Sequence, residues 1–227
     1  MKKYLVIILL SITTGFSQSF KVEKISGSVK MLSENSNTWQ QVKLNMDLNE
    51  STILSTEKNS TVIIRNQDLC FTLTELSAIT ISNIKKMSMD ELLLALAMEN
   101  VMNTPRKNGN EKSDNTGVYG DKISDEIQTA IKSNDFGLKR LNGAKQLAES
   151  GFIESAIIAS KEIYRKYPET KNYSSFRIYF TDLLFDKGLY EESYDEYKQI
   201  KSLQLNNAQQ NYLNNKLEEI GKKLLNN

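Results

Sequence analysis

One arrangement of residues in this sequence could support nucleophilic catalysis. Ser82-Asn-Ile-Lys85 places a hydroxyl three residues before an amine, and Ser113-Asp-Asn115 adds a second serine beside an amide. In acyl-transfer enzymes that use these two motifs, the serine attacks a carbonyl carbon after losing its proton to a base. Those enzymes also need a K-T-G element and a longer interval between the motifs, and this chain has neither. We interpret both matches as chance and expect no catalytic residue.

The absence of histidine removes several other kinds of site. Ser-His-Asp and Cys-His mechanisms and His-ligated metals are excluded, and no glycine-rich phosphate or dinucleotide motif occurs. Cys70, the single cysteine, cannot form an intramolecular disulfide. Its position in an apolar, strand-like run predicts a buried side chain. We expect a protein that is not an enzyme and holds no metal or cofactor.

The N-terminus has the pattern of a secretory signal peptide. Lys2 and Lys3 precede the apolar run Tyr4–Leu10, and Gly15-Phe16-Ser17 resembles a cleavage site. This run is shorter than the about 20 residues that span a bilayer. We therefore expect residues 1–17 to be removed and the mature chain to have no membrane span. An uncleaved N-terminal anchor is the alternative.

The charge balance argues against nucleic acid as a partner. The full chain has 29 basic and 28 acidic residues, and the predicted leader contains two of the lysines. A mature chain that is close to neutral, with its charges mixed, has no electrostatic basis for binding a phosphate backbone.

Residues 18–84 have the periodicity of a small β sandwich or barrel. Val29 and Met31, like Val62 and Ile64, alternate with polar residues, as in half-buried strands. Turn-forming residues separate runs that recur about every ten residues. The predicted strands are Phe20–Ile25, Ser28–Leu32, Trp39–Leu44, Ser51–Leu54, Thr61–Arg65, Leu69–Leu73 and Ala78–Ser82.

Residues 85–102 predict an apolar helix, which begins with the capping box formed by Ser88 and Glu91. A helix that is apolar on most sides is buried or meets a partner, and we expect burial. Residues 103–120 are rich in Asn, Gly and charge and predict a linker between two domains.

Residues 121–227 predict an all-α domain. Ile123, Ile127 and Ile131 share one helical face, and Leu138, Leu141 and Leu147 indicate a second helix. The remaining predicted helices are Ile153–Tyr167, Ser174–Asp186, Tyr190–Leu203 and Asn207–Leu225. The fold class that we predict is α+β, with an N-terminal all-β domain and a C-terminal helical array.

Two segments of the helical domain are similar to each other at an offset of 37 residues. Gly151 aligns with Gly188, and Ile163 aligns with Ile200. A glycine permits a sharp turn between antiparallel helices, small Ala156 permits close packing, and Pro168 ends the unit. Such a period is typical of a helical solenoid.

This pattern resembles the tetratricopeptide repeat family over about residues 137–205. Gly151, Ala156, Tyr164 and Pro168 match its consensus positions. Arg140 stands where the family has an aromatic residue, and Ser193 replaces the packing alanine in the second repeat. The flanking helices at 121–135 and 207–225 would then act as caps. A plain helical bundle is the alternative.

Residues 20–84 resemble the FecR domain, the periplasmic β domain of iron-transport signal transducers, which also occurs in other exported bacterial proteins. The matching segments are Ile25-Ser-Gly-Ser-Val29, Trp39-Gln-Gln-Val42, Leu48, Ile53-Leu-Ser-Thr56, Asn59-Ser-Thr-Val-Ile-Ile64 and Ala78-Ile-Thr-Ile81, with a weak echo in Gly117-Val-Tyr-Gly120. The resemblance implies a bacterial periplasmic, secreted or cell-surface location and no catalytic residue.

Together these patterns predict an exported, non-enzymatic scaffold or adaptor that binds a protein of the cell envelope. By the geometry of tetratricopeptide arrays, the first helix of each repeat lines the binding face. The candidate contacts on these helices are Lys145, Ser175, Asp182 and Phe185. The alternative is a carbohydrate- or cell-wall-binding module in which Trp39, the only tryptophan, stacks on a sugar of the wall polysaccharide.

Overall fold

The computed structural model describes residues 19–33, 36, 38–103 and 134–225. The predicted signal peptide at 1–17, nearly all of the predicted linker at 103–120 and the predicted helix that carries Ile123, Ile127 and Ile131 lie outside these residues.

The N-terminal part is a β sandwich of two four-stranded antiparallel sheets. One sheet has the order β4-β1-β6-β7, and the other has the order β3-β2-β5-β8. A turn at Gly27, with φ of +74°, carries the chain from β1 in the first sheet to β2 in the second. The strands are β1 Phe20–Ser26, β2 Val29–Leu32, β3 Gln40–Gln41, β4 Asp47–Leu48, β5 Ile53–Thr56, β6 Thr61–Arg65, β7 Cys70–Leu73 and β8 Ala78–Thr80.

Alternation of side chains builds the core between the sheets. In β7, Phe71 and Leu73 are buried and their neighbours are exposed, because successive side chains of a strand point to opposite faces. Cys70 therefore lies on the outer face, opposite Arg65 of β6. The prediction that Cys70 is buried was wrong, since the composition of its run indicated a strand but did not fix which face the sulfur occupies.

The C-terminal part, residues 134–225, is helical, and one further helix lies between the sandwich and residue 104. The helices are α1 Met89–Asn103, α2 Asn134–Glu149, α3 Ile153–Lys166, α4 Ser174–Asp186, α5 Tyr190–Ile200 and α6 Asn207–Leu225. A short 3-10 helix, Pro168–Asn172, begins at the predicted helix-ending proline. The α+β layout in two parts agrees with the fold class predicted from the sequence.

Helix α2 covers the open side of the sandwich between the edge strands β7 and β8. Its residue Gly143 lies directly on the backbone of Ala78, so that a Cβ at this position would be 2.9 Å from the carbonyl carbon of Ala78. Phe152, in the turn after α2, contacts Phe71 of β7 edge-to-face at 6.2 Å between ring centroids. Covering sheet edges with a helix protects them from pairing with other chains.

Polar contacts join the same helix to the β7–β8 connection. The buried Gln146 accepts a hydrogen bond from the Thr74 N–H at 2.8 Å and donates to the Ser77 hydroxyl at 2.6 Å. Lys139 of the same helix pairs with Glu57, in the β5–β6 connection, at 2.8 Å. One hydrophobic cluster runs without a break from the sandwich into α2 and α3. The β and α parts thus share a core, although the sequence indicates two domains.

Candidate interaction surface

The two helical turns that the sequence aligned have the same geometry. Gly151 and Gly188 both adopt a left-handed backbone, with φ of +88° and +78°. In each turn the glycine N–H donates to the carbonyl three residues earlier, and the next N–H donates to the carbonyl five residues earlier, all at 2.9 to 3.0 Å. This is the Schellman arrangement that ends a helix. It reverses the chain so that α3 packs against α2 and α5 packs against α4.

The packing positions of the two pairs also correspond. Ala156 and Ser193 are both completely buried five residues after their glycine, and Ile163 and Ile200 are buried further along. The Ser193 hydroxyl donates to the Tyr190 carbonyl at 3.0 Å. Serine therefore fits the small-residue position because its polar group is satisfied within its own helix.

Arg140, the departure from the repeat pattern in α2, has a local explanation. Its side chain is buried and donates to the Thr80 hydroxyl at 2.7 Å. An aromatic residue here would lack this hydrogen bond to β8. The contact with the sandwich, rather than with another repeat, accounts for the arginine.

We expect Gly151→Ala and Gly188→Ala each to lower the free energy of unfolding by about 1 kcal/mol, the cost of a left-handed backbone for a residue with a Cβ. No heavy atom lies within 4 Å of either added Cβ, so the backbone supplies the whole effect. Urea unfolding measures it, with Ser150→Ala as a neutral control. Clearly unequal costs at the two glycines would contradict the equivalence of the turns.

Three of the four predicted contact residues lie against the last helix, α6. Ser175 accepts a hydrogen bond from Gln209 at 3.4 Å, and the Tyr212 hydroxyl donates to Asp182 at 2.8 Å. Phe185 lies beneath the Lys216 ammonium group, 4.0 Å from its ring centroid. These three contacts place α6 beside α4, the first helix of the second pair.

These three residues differ in how much of their surface is exposed to solvent. Ser175 is exposed, Asp182 is half-buried, and Phe185 is only 9% exposed. Phe185 is thus a packing residue of the α4–α5–α6 core and does not present its ring to a partner. Burial raises the pKa of Asp182 more than the hydrogen bonds from Tyr197 and Tyr212 lower it. The hydrogen bonds from Tyr197 of α5 and Tyr212 of α6 join both helices to Asp182 of α4, and this half-buried carboxyl group also faces the surface.

The fourth predicted contact residue, Lys145, lies on α2 and links the first helical pair, α2 and α3, to the surface formed by α4 and α6. Its ammonium group is 3.4 Å from Glu149 and lies 5.8 Å from the ring centroid of Tyr179 on α4. Burial, and then the charge of Glu149, raise the pKa of Tyr179. We call this continuous surface, formed by Lys145, Tyr179, Ser175, Asp182 and Tyr212, the α2–α4–α6 face.

The residues considered for chemistry lie elsewhere. Ser82 is exposed in a three-residue 3-10 turn rather than at the start of a long helix, and its N–H donates to the Glu50 carbonyl. It lines a surface depression of about 250 Å³ together with Glu50 and Lys85. Ser113-Asp-Asn115 lies outside the described residues. Within the described part, no three Cys, Asp or Glu residues are grouped to hold a metal ion.

Trp39, the candidate sugar-stacking residue, is half-buried where the sandwich meets the helices. Its ring packs edge-to-face on Phe136 of α2, with 5.6 Å between centroids. The indole therefore packs at the interface between the sandwich and the helical part. Among the described helices, none combines the length and the apolar character that crossing a membrane requires.

A mostly buried ion cluster between the two helical pairs had no clear signal in the sequence. Glu196 of α5 pairs with Lys161 of α3 and with Arg177 of α4, the latter at 2.6 Å. Burial raises the pKa of Glu196, but the two cations outweigh it and hold the pKa below its ordinary value. The cluster fixes the second pair on the first. Its members are far apart in sequence, so only the alignment of the pairs could have suggested the contact.

Comparison with protein families, with curated proteins and with solved structures gave no match.

Proposed function

We propose that this protein is an exported, non-enzymatic adaptor of the bacterial cell envelope, in which a FecR-like β domain carries a short tetratricopeptide-like array. The observation that supports this most is the repetition of one helix–glycine–helix unit at 37 residues, with the same turn hydrogen bonds and the same buried small residue. Repeats of this kind stack to create an extended surface for protein binding.

The α2–α4–α6 face has the chemistry of a protein-binding surface. Tyr212 is 38% exposed, and Tyr179 is partly exposed beside a lysine. Tyrosine is enriched among residues that dominate binding energy, because it offers a large rigid area with a polar tip. Lys145 and Asp182 add charges of both signs. The partner that fits is a folded envelope protein with a mixed polar surface, rather than a polyanion.

The proposed location rests on the N-terminal pattern described above. A leader removed after Ser17 would leave Gln18 first, two residues before the first described strand. Residues 18–227 therefore contain the whole described fold and are the chain to use in solution experiments. The two halves should not be tested separately, because they share one core.

Affinity capture after crosslinking in cells tests the proposal. We expect the intact chain to retain one specific envelope protein, and the double variant Lys145→Glu/Ser175→Arg to lose at least about 90% of it, because the charge is reversed at half-buried Lys145 and bulk is added at exposed Ser175. The control is Lys58→Glu/Ser82→Arg, which makes the same two substitutions on the sandwich, where both positions are exposed.

Equal capture by the two double variants would overturn the α2–α4–α6 face as the binding site. Recovery of cell-wall polysaccharide instead of protein would favour the alternative function of the β domain. In that case, Trp39→Phe is the variant to compare, since it keeps an aromatic ring at the joint with α2.

A further inference from the structure

One side of helix α1 is fixed firmly to the helical part. Leu92 and Leu96 are buried in a cluster with Ile157 of α3 and Leu184 of α4. Glu99 is buried on the same side, and its carboxylate pairs with Arg165 at 3.0 Å. The orientation of α1 about its axis is therefore set, and its remaining apolar residues cannot turn inward.

The opposite side of α1 presents large apolar side chains to solvent. Leu94 and Val101 are 65% and 75% exposed, and Leu93, Met98 and Met102 are between 43% and 58% exposed. Leu94, Met98 and Met102 recur every four residues and form one stripe along the helix. We call these five residues the α1 outer face. The expectation that this helix is buried holds only for its inner side.

This face is too apolar to be ordinary surface. At the usual sizes of these side chains, the exposed fractions amount to on the order of 500 Å², as large as the largest apolar patch on a typical monomer. Between residues 93 and 102, Glu99 is the only charged residue, and it points inward to Arg165. An occupant of the face must therefore be apolar, and no charge opposes the approach of an identical surface.

We propose that the α1 outer face binds the same face of a second copy, giving a two-fold symmetric dimer with the two helices antiparallel. Two such faces would bury about 1,000 Å² in total, which reaches the smallest size expected of a specific interface. An interface between identical patches is self-complementary and closes after two copies. This inference does not depend on the proposed adaptor function.

The charges of α1 favour a second copy over a lipid surface, and they favour an antiparallel over a parallel pair of helices. Its only charged residues are the acids Asp90, Glu91 and Glu99, whereas helices that lie on anionic lipid carry basic residues on their polar side. Asp90 and Glu91 are both near the N-terminal end. A parallel pair of helices would place these acids against each other, and an antiparallel pair separates them.

Sedimentation equilibrium of residues 18–227 tests the proposal at concentrations from 1 to about 100 μM. We expect the mass to rise to twice that of the chain. Leu94→Glu should weaken the association at least about tenfold, because a carboxylate would lose its water in the apolar interface. Leu44→Glu is the matched control, since Leu44 on the sandwich is 58% exposed and should tolerate the change without effect on the mass.

Disulfide crosslinking tests the antiparallel geometry. Met98 lies midway between Leu94 and Met102, so the two-fold axis should bring Met98 of both copies together. In a Cys70→Ser background, Met98→Cys should form a covalent dimer under copper-phenanthroline oxidation by O₂, and Leu44→Cys should not. A mixture of Leu94→Cys and Met102→Cys chains should crosslink faster than either chain alone, because only an antiparallel pair brings these two positions together. Circular dichroism checks that each variant is folded.

Three results would overturn the inference. The wild-type chain could remain a monomer at 100 μM, Leu94→Glu could dimerise as strongly as wild type, or Met98→Cys could crosslink no faster than Leu44→Cys. If the protein is a monomer and Leu94→Cys is nevertheless protected from alkylation, another part of the same chain covers the face and a second copy does not.

Discussion

Gly143→Ala is expected to lower the free energy of unfolding by about 3 kcal/mol, at the upper end of what overpacking a core usually costs. The added methyl group would be 2.9 Å from the carbonyl carbon of Ala78 and closer still to its oxygen. This backbone cannot move aside, because β8 is paired with β5 through Ser55 and Ala78. Helix α2 would have to lift off the sandwich.

Gly221→Ala in α6 is the matched control for this substitution. Gly221 is also inside a long helix, but nothing lies within 4 Å of its added Cβ. Alanine has the higher helix propensity, so this variant should gain about 0.5 to 1 kcal/mol. Urea unfolding of both variants isolates the contact with β8. A Gly143→Ala protein as stable as wild type would show that α2 does not rest on that strand.

Glu196→Gln is expected to destabilise the helical part by about 2 kcal/mol, since removing the shared carboxylate of a mostly buried ion cluster leaves its two cations uncompensated. Lys161 and Arg177 would remain near one another without their shared carboxylate. Glutamine keeps the size of the side chain, so packing is preserved. Thermal unfolding measures the loss.

The exposed pair of Glu218 and Lys222 on α6 provides the control. These side chains are 2.7 Å apart but about 70% exposed, so Glu218→Gln should leave the midpoint unchanged. An equal effect of the two substitutions would show that the ion cluster between the helical pairs is not buried in solution.

Lowering the pH should reduce the difference in the free energy of unfolding between the Glu196→Gln variant and the wild-type protein. The folded protein holds the pKa of Glu196 below its ordinary value of 4.5, so its stabilisation is complete above pH 4.5 and is lost as the pH falls through the lowered pKa. Glutamine cannot titrate and lacks this loss. A difference that grows in acid would contradict the assigned role of the carboxylate.

Local features of the fold could be predicted from the sequence because they depend on near neighbours. The turns at Gly151 and Gly188 need a left-handed residue, and helix Ser174–Asp186 has the same bounds in the sequence analysis and in the structure. Strand periodicity indicated the sandwich for the same reason. Cys70 shows the limit, since its run indicated a strand without giving the register that points the thiol outward.

Contacts between distant elements could not be predicted. Nothing in the spacing of Gly143 or Arg140 indicates that α2 closes the side of the sandwich, because the partner residues are more than 55 positions earlier. The predicted linker suggested separate domains, but a composition shift does not reveal whether the parts on either side share a core. Their common cluster depends on tertiary packing.

In the candidate site, too, local features could be predicted from the sequence and contacts between distant elements could not. Repeat geometry placed Lys145, Ser175, Asp182 and Phe185 on first helices, and the structure joins them through α2, α4 and α6. Which of them stay accessible depends on how α6 lies across α4, and this buries Phe185. The exposed side of α1 is a further example, since its composition alone indicated burial.

Site-specific photo-crosslinking in living cells tests the central claim of an adaptor that acts through the α2–α4–α6 face. A photoreactive side chain would replace exposed Ser175 in one strain and exposed Leu44, on the sandwich, in another. The account predicts that position 175 crosslinks to one envelope protein and position 44 does not. Crosslinks from position 44 alone, or from neither position, would contradict it.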